Sequence, residues 1–256
     1  MKRSKNPRGR IQSLIEKAKV QSSENSPDAL NTWTRATFLS LQLVSPDFGL
    51  TQYCINNVGK SLVDQGDYER AIGVLEPALE KARETVGLAH PLVEHPCQSL
   101  GRAYDALGDY AKSQKYWDAA ACSAESTRGI YHASTIFCLS KKARALRSQG
   151  LHEEALTAYC KVWGRTQFAF GNDLRTAFAA RELAACYCQL GRFEEAIPIW
   201  QHAKHCFDEH PRYHKYARNM KRCLSWSRNQ AWQSRHACSN AGRTDEVVSS
   251  LLACEN

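Results

Sequence analysis

The stretch SLGRAYDALGDYAKSQKYWDAA, Ser99–Ala120, alternates small and large residues and is interrupted once by Gly108. A glycine between two segments of helical periodicity suits an antiparallel helix pair, because the first helix ends where the chain turns left-handed and a side chain is disfavoured. The same arrangement turns at Gly66 in QGDYERAIGVLEPAL, at Gly150 in QGLHEEALTAYCKV and at Gly191 in LGRFEEAIPIWQHA, so the glycines stand 42, 42 and 41 residues apart. Ser99–Ala120 is therefore one unit of a repeat.

The rest of the unit repeats with the glycine. Seven residues before it come Gly59, Gly101, Ala143 and Ala184, and five after it Ala71, Ser113, Ala155 and Ala196. Helices approach to about 8–10 Å where the crossing side chains are small, so these positions mark the contact point of each hairpin. Large residues flank it at Leu62, Tyr104, Leu146 and Tyr187, and at Leu75, Trp117, Tyr159 and Trp200. A further small or branched position follows at Ala78, Ala120, Val162 and Ala203.

This pattern resembles the tetratricopeptide repeat (TPR), a helix–turn–helix unit whose usual period is about 34 residues. The longer period here, the linker in ETVGLAHPLVEHPCQSLG and the run CINNVG (Cys54–Gly59) are similar to the kinesin-light-chain type. STRGIYHASTI and FAFGNDLRTAF are degraded forms of that linker without its proline. The resemblance covers roughly residues 50–210 and implies an all-α fold, a right-handed α-α superhelical solenoid of TPR-like hairpins. Helices are expected over about 51–65, 67–86, 91–107, 109–126, 132–149, 151–168, 173–190 and 192–208. Pro96 moves the expected start of the third of these to near Glu94 or His95, since proline is tolerated only early in a helix.

Around this core, residues 1–25 read as a basic flexible arm, with KRSKNPRGR a nuclear-import signal in the alternative reading. Residues 26–50 read as a leading helix or half-repeat, 51–210 as four repeats, and 211–256 as a degenerate fifth repeat with capping helices, TDEVVSSLLACE closing the chain. Atypical terminal units are expected because a solenoid must cap its apolar ends. No apolar run reaches the roughly 18 residues a membrane span needs, and the N-terminus lacks the apolar centre of a secretory signal. The expected localisation is cytoplasmic, with the nucleus as the alternative. The 11 cysteines are odd in number and no export signal precedes them, so they read as reduced, buried small hydrophobes.

The net charge of +8 is uneven: residues 1–20 hold seven basic and one acidic side chain, and residues 204–243 nine and two. Phosphate-binding glycine loops, nucleophile elbows and the H-E-x-x-H zinc motif are all missing from the sequence. Glu153–Glu154 and Glu194–Glu195 follow turn glycines, where carboxylates suit a helix N-terminus better than acid–base work. His202, His205 and Cys206 share a helix face at a spacing that can ligate zinc, against an ordinary end-of-helix reading in which histidine suits the C-terminal dipole. No cofactor, metal or catalytic residue is expected, and the chain is read as a non-enzyme.

In a stack of hairpins the first helices line a concave groove. One residue after the small crossing position stand Lys60, Arg102 and Arg144, with Ala185 at the fourth; three before it stand Asn56, Gln98, Ser140 and Arg181, with Arg147 one turn beyond Arg144. With the family geometry these amides and cations form a ladder suited to an extended peptide, whose acidic side chains or C-terminal carboxylate the cations would pair. The alternative is that long basic side chains merely snorkel from packed helices. The expected function is a protein- or peptide-binding scaffold or adaptor. Two other readings remain. The resemblance admits an accessory protein of a fungal biosynthetic pathway, and the segment HPRYHKYARNMKRCLSWSRNQAWQSRHA, where Tyr213, Tyr216, Trp226 and Trp232 interleave with basic residues, admits nucleic-acid binding.

Overall fold

The computed structural model describes residues 6–43 and 47–236, and the closing helix expected within 244–255 lies outside them. The chain divides into two compact units, residues 1–129 and 130–256. The described residues form eleven α-helices and one 3-10 turn, with no strand among them. None of these helices is long and apolar enough to cross a membrane.

The first unit holds α1 (Pro7–Ser23), α2 (Asp28–Leu41), α3 (Phe48–Asp64), α4 (Tyr68–Val86), α5 (Pro91–Leu107) and α6 (Tyr110–Arg128). Each packs on the next, and α3 also packs on α5, the contact that stacks one hairpin on its neighbour. The second unit holds α7 (Ala133–Ser148), α8 (His152–Phe170), α9 (Leu174–Gln189), α10 (Phe193–Asp208), the 3-10 turn Pro211–Tyr213 and α11 (His214–His236), again packed in sequence. All eight expected repeat helices are present, with ends within three residues of their expected places.

The turn glycine works as the spacing predicts. Gly108 closes α5 at φ 76°, ψ 6°, the left-handed region, and its N–H is donated back to Asp105 and Tyr104 carbonyls. Asp109 then caps α6, its carboxylate accepting from the Lys112 N–H. Between hairpins the linker histidines are caps as well: His90 Nδ1 accepts from the Leu92 N–H at 3.2 Å and His132 Nδ1 from the Ser134 N–H at 3.1 Å. With His90 as N-cap and Pro91 in the first turn, α5 starts at residue 91, so the start expected near Glu94 or His95 is corrected and Pro96 lies inside the helix. Proline has no N–H to give the Leu92 carbonyl. Asn56 supplies it instead, its Nδ2 donating to Leu92 O at 3.3 Å while its Oδ1 accepts from Gln52 Nε2 at 3.0 Å.

The basic arm expected over residues 1–25 is a second correction, because residues 7–23 are helical. Asn6 caps α1 through bonds from the Arg8 and Gly9 N–H groups, Pro7 begins it, and Ile11, Ile15 and Ala18 recur at helical spacing against Trp33 and Ala36 of α2. The Trp33 indole N–H is donated to Ser22 Oγ at 3.0 Å. The leading half-repeat is thus one side of a complete hairpin.

The crossing positions carry the core. Ala71, Ser113, Ala143, Ala155, Ala184 and Ala196 are fully buried. A methyl group on Gly59 would lie 2.3 Å from the Leu75 side chain, and one on Gly101 2.7 Å from the Trp117 indole. The nearest neighbours of the two glycines are thus the large residues expected beside the crossing, not the small Ala71 and Ser113. Nine cysteines lie among the described residues, and seven of them are buried. Burial pushes the Cys54, Cys97 and Cys186 thiols up to about 11, which keeps them unreactive at neutral pH.

Gly59→Ala and Gly101→Ala are each expected to lower stability by about 1–3 kcal/mol through overpacking. Gly73→Ala, in α4 with nothing near its missing methyl, is expected to raise it by about 0.5–1 kcal/mol. Urea midpoints at unchanged m-value check the contrast.

Candidate peptide-binding face

Lys60 lies near the end of α3 and Arg102 in the second half of α5, at the same place in successive units, and their side chains are 52% and 43% exposed. Both turn to one carboxylate: Lys60 Nζ is 2.7 Å from Asp64 Oδ2 and Arg102 Nη2 is 2.9 Å from Asp64 Oδ1. Partial burial pushes Asp64 up, but its hydrogen bonds to Lys60 and Arg102 outweigh that and hold it below the usual carboxylate range. A recess of about 150 Å³ opens beside it, lined by Ser61 and Asp64 of α3, by Gln65 at its end and by residues around the α1–α2 turn.

The amide row of the first unit faces inward. Asn56 is buried and occupied with Gln52 and Leu92 O, as described above. Gln98 donates to Glu94 Oε1 at 2.9 Å, and Glu94, fully buried, also meets Arg128 Nη1 at 2.7 Å. These two amides therefore tie α5 to α3 and brace its own first turns. Arg128, at the end of α6, joins the same carboxylate.

In the second unit Arg144 of α7 is exposed, while Ser140 Oγ is donated to the Phe137 carbonyl of its own helix. Arg147 and Arg181 converge on Glu182: Arg147 Nη1 lies 2.7 Å from Oε2, and Arg181 Nη2 holds Oε1. The Arg147 guanidinium lies over the Tyr159 ring and that of Arg181 over Phe178, each 5.5 Å from the centroid. Burial alone would raise Glu182, but the two arginines hold it below the usual range. The ladder residues are thus of two kinds. Lys60, Arg102 and Arg144 reach solvent, whereas Asn56, Arg147 and Arg181 are built into the packing.

Asp64 and Glu182 are what the sequence reading missed. Asp64 stands four residues after Lys60, so the helical spacing of opposite charges was the available signal there, whereas Glu182 directly follows Arg181 and no such spacing points to it.

The other candidates resolve locally. His202 Nε2 lies 3.2 Å from Asn172 Oδ1, its ring meets Trp163 edge-on, and Cys206 Sγ is 3.8 Å from His202 Nδ1. His205 turns to Glu209. Among the described residues no three potential ligands gather as a metal site. Glu153, Glu154, Glu194 and Glu195 occupy the first turns of α8 and α10, the helix N-termini expected for them.

Glu182→Gln is expected to destabilise the chain by about 3 kcal/mol or more at neutral pH, because it leaves two partly buried guanidiniums short of charge. A lowered carboxylate contributes stability above its ordinary value of 4.5 and loses it as pH falls through the folded value. The gap between variant and parent should therefore shrink steadily on acidification from about pH 5 to 3, as followed by urea unfolding at each pH.

Comparison with known proteins agrees with this geometry. Tetratricopeptide-repeat family models match residues 51–92 and 95–162. A protein of Podosopora anserina described as a kinesin light chain with nearly identical TPR-like repeats superposes with a TM-score of 0.70 at 18% identity, over 82% of this chain and 100% of that one. BtubC (BKLC) from P. vanneervenii gives 0.65 at 15% identity, over 91% of this chain and 86% of that one, and MamA MSR-1 gives 0.52 at 17%, over 78% and 98%. No curated protein matches the sequence significantly. The two repeat matches place tetratricopeptide repeats within residues 51–162, and the fold is the one seen in the kinesin-light-chain-like repeat structures.

Proposed function

We propose that the chain is a non-enzymatic scaffold that holds a protein or peptide segment on the polar faces of its first helices, with acidic side chains or a C-terminal carboxylate as the recognised groups. The repeat fold is commonly a protein–protein interaction scaffold. The observation that carries the finer reading is the register of Lys60, Arg102 and Arg144, which occupy one position in three successive repeats and are all exposed. Rigid helices hold these cations in place before a ligand arrives, so the ordering entropy falls on the partner. In the first unit Asp64 is the resident anion that an incoming carboxylate must displace from Lys60 and Arg102.

The combined variant Lys60→Glu, Arg102→Glu, Arg144→Glu is expected to abolish capture of the natural partner in pull-downs while helicity stays unchanged. Asp64→Asn is expected to tighten binding of an acidic partner by removing the internal competitor. Unchanged capture by the triple variant rejects the assignment of the face.

A further inference from the structure

Among the described helices α11, like α7, carries basic residues and no acidic one, and it holds more of them. Between Glu209 and Asp245 the sequence holds no acidic residue, while Arg212, Lys215, Arg218, Lys221, Arg222, Arg228, Arg235 and Arg243 fall within it. The first seven of these are described, and all are exposed. Arg235 pairs with Glu194. The other six, from Arg212 in the 3-10 turn to Arg228, make no ion pair with any described residue. On other helices the exposed Lys60, Arg70, Arg102, Lys112 and Arg192 each have a carboxylate within reach, while Arg8, Arg10 and Lys17 of α1 are also exposed and make no ion pair with a described residue.

The opposite side of α11 is spent on packing. Ala217, Met220, Cys223, Leu224 and Ala231 are buried in the core they share with α9 and α10. The aromatic residues that interleave with the basic ones in sequence mostly go the same way: Tyr216 stacks on Phe207 at 5.4 Å, Tyr213 meets Phe178, and Trp226 meets Phe193 edge-on at 5.4 Å. Only Trp232 stays outside, 61% exposed. The outward face is therefore a cationic strip with a single aromatic at its far end.

We infer that this strip binds the phosphate backbone of a single-stranded nucleic acid. Phosphate suits it in three ways. Four of the six unpaired cations are arginines, whose guanidinium forks match phosphate oxygens. Five of the six lie between Lys215 and Arg228 of α11, a stretch that at 1.5 Å per residue spans roughly 20 Å and faces about six nucleotides of a strand. The strip also lacks the cluster of buried aromatic and aliphatic anchors that protein partners use to gain affinity, whereas backbone binding draws its affinity from distributed charge alone. A membrane surface is disfavoured because a basic amphipathic helix enters a bilayer by its apolar face, and that face of α11 is already covered. The inference is independent of the peptide-binding reading, since α11 contributes none of Lys60, Arg102 or Arg144.

The test is fluorescence anisotropy of the full-length chain with labelled single-stranded RNA of about 20 nucleotides, across roughly 50–200 mM KCl. The logarithm of affinity should fall with the logarithm of salt at a slope near −4, from about 0.7 per neutralised phosphate and six cations. Arg218→Glu, Arg222→Glu, Arg228→Glu together should weaken binding more than tenfold at the lowest salt and reduce the slope by about 2, with unchanged circular dichroism because the side chains are exposed. Lys60→Glu, Arg102→Glu should leave RNA affinity as it was. Absence of binding at low salt, or equal binding by the α11 variant, overturns the inference. So does displacement of the RNA by polyglutamate as effective as that by unlabelled RNA at equal charge, which would assign the strip to acidic protein segments.

Discussion

The contact between Gly59 and Leu75, repeated as Gly101 against Trp117, is the constraint on which the structure depends. In these two hairpins a side chain from the second helix fills the space that a methyl group on the first would need. That close approach lets two helices hide their apolar stripes in each other, and it leaves the outer sides of α3 and α5 to meet one another and stack the hairpins. Alanine takes the glycine's place at positions 143 and 184, again fully buried. Close approach is thus kept where the partner across the crossing is Tyr159 or Trp200.

Close packing of hairpins brings charges together that lie far apart in sequence, and carboxylates organise them. Glu94 collects Gln98 and Arg128, Asp64 collects Lys60 and Arg102, and Glu182 collects Arg147 and Arg181. Glu76 does the same with hydroxyls, accepting from both Tyr104 and Tyr116, whose rings stack at 5.5 Å. Burial, with help from Glu76, pushes the Tyr104 phenol up to about 12, so it remains a donor throughout the neutral range. These groups fix side chains in place, and the same fixing makes the exposed cations a preformed surface. Helix α11 and the 3-10 turn before it carry no carboxylate, and six of their cations make no ion pair with a described residue.

Most of the fold was legible because it rests on local chemistry. Turn glycines, caps and small crossing residues act within a few positions of themselves, and the repetition of the unit gave four readings of each. The N-terminal helix was legible too, through Asn6-Pro7 and the spacing of Ile11, Ile15 and Ala18, but the seven basic residues of positions 1–20 drew the reading towards a solvated arm. Charge describes what one face shows to water; it says nothing about the other face. The start of α5 was misplaced for a different reason. Pro96 is tolerable inside the helix only because Asn56, from a helix one repeat earlier, takes over the orphaned carbonyl, and no local rule sees across that distance.

By itself, then, the amino-acid order determined an array of helical hairpins with its register, its turn positions and its crossing residues, since each of these follows from steric and hydrogen-bonding rules confined to one turn of chain. Tertiary structure decided which polar side chains are available. Asn56, Arg147 and Arg181 belong to the same expected ladder as Lys60, Arg102 and Arg144, yet the former are consumed by buried hydrogen bonds and ion pairs and the latter face solvent. Tyr213, Tyr216 and Trp226 likewise pass into the core and leave the cations of α11 behind on the surface. The physical reason is the same in each case: burial and pairing depend on what the neighbouring helix presents, and that neighbour is set by folding.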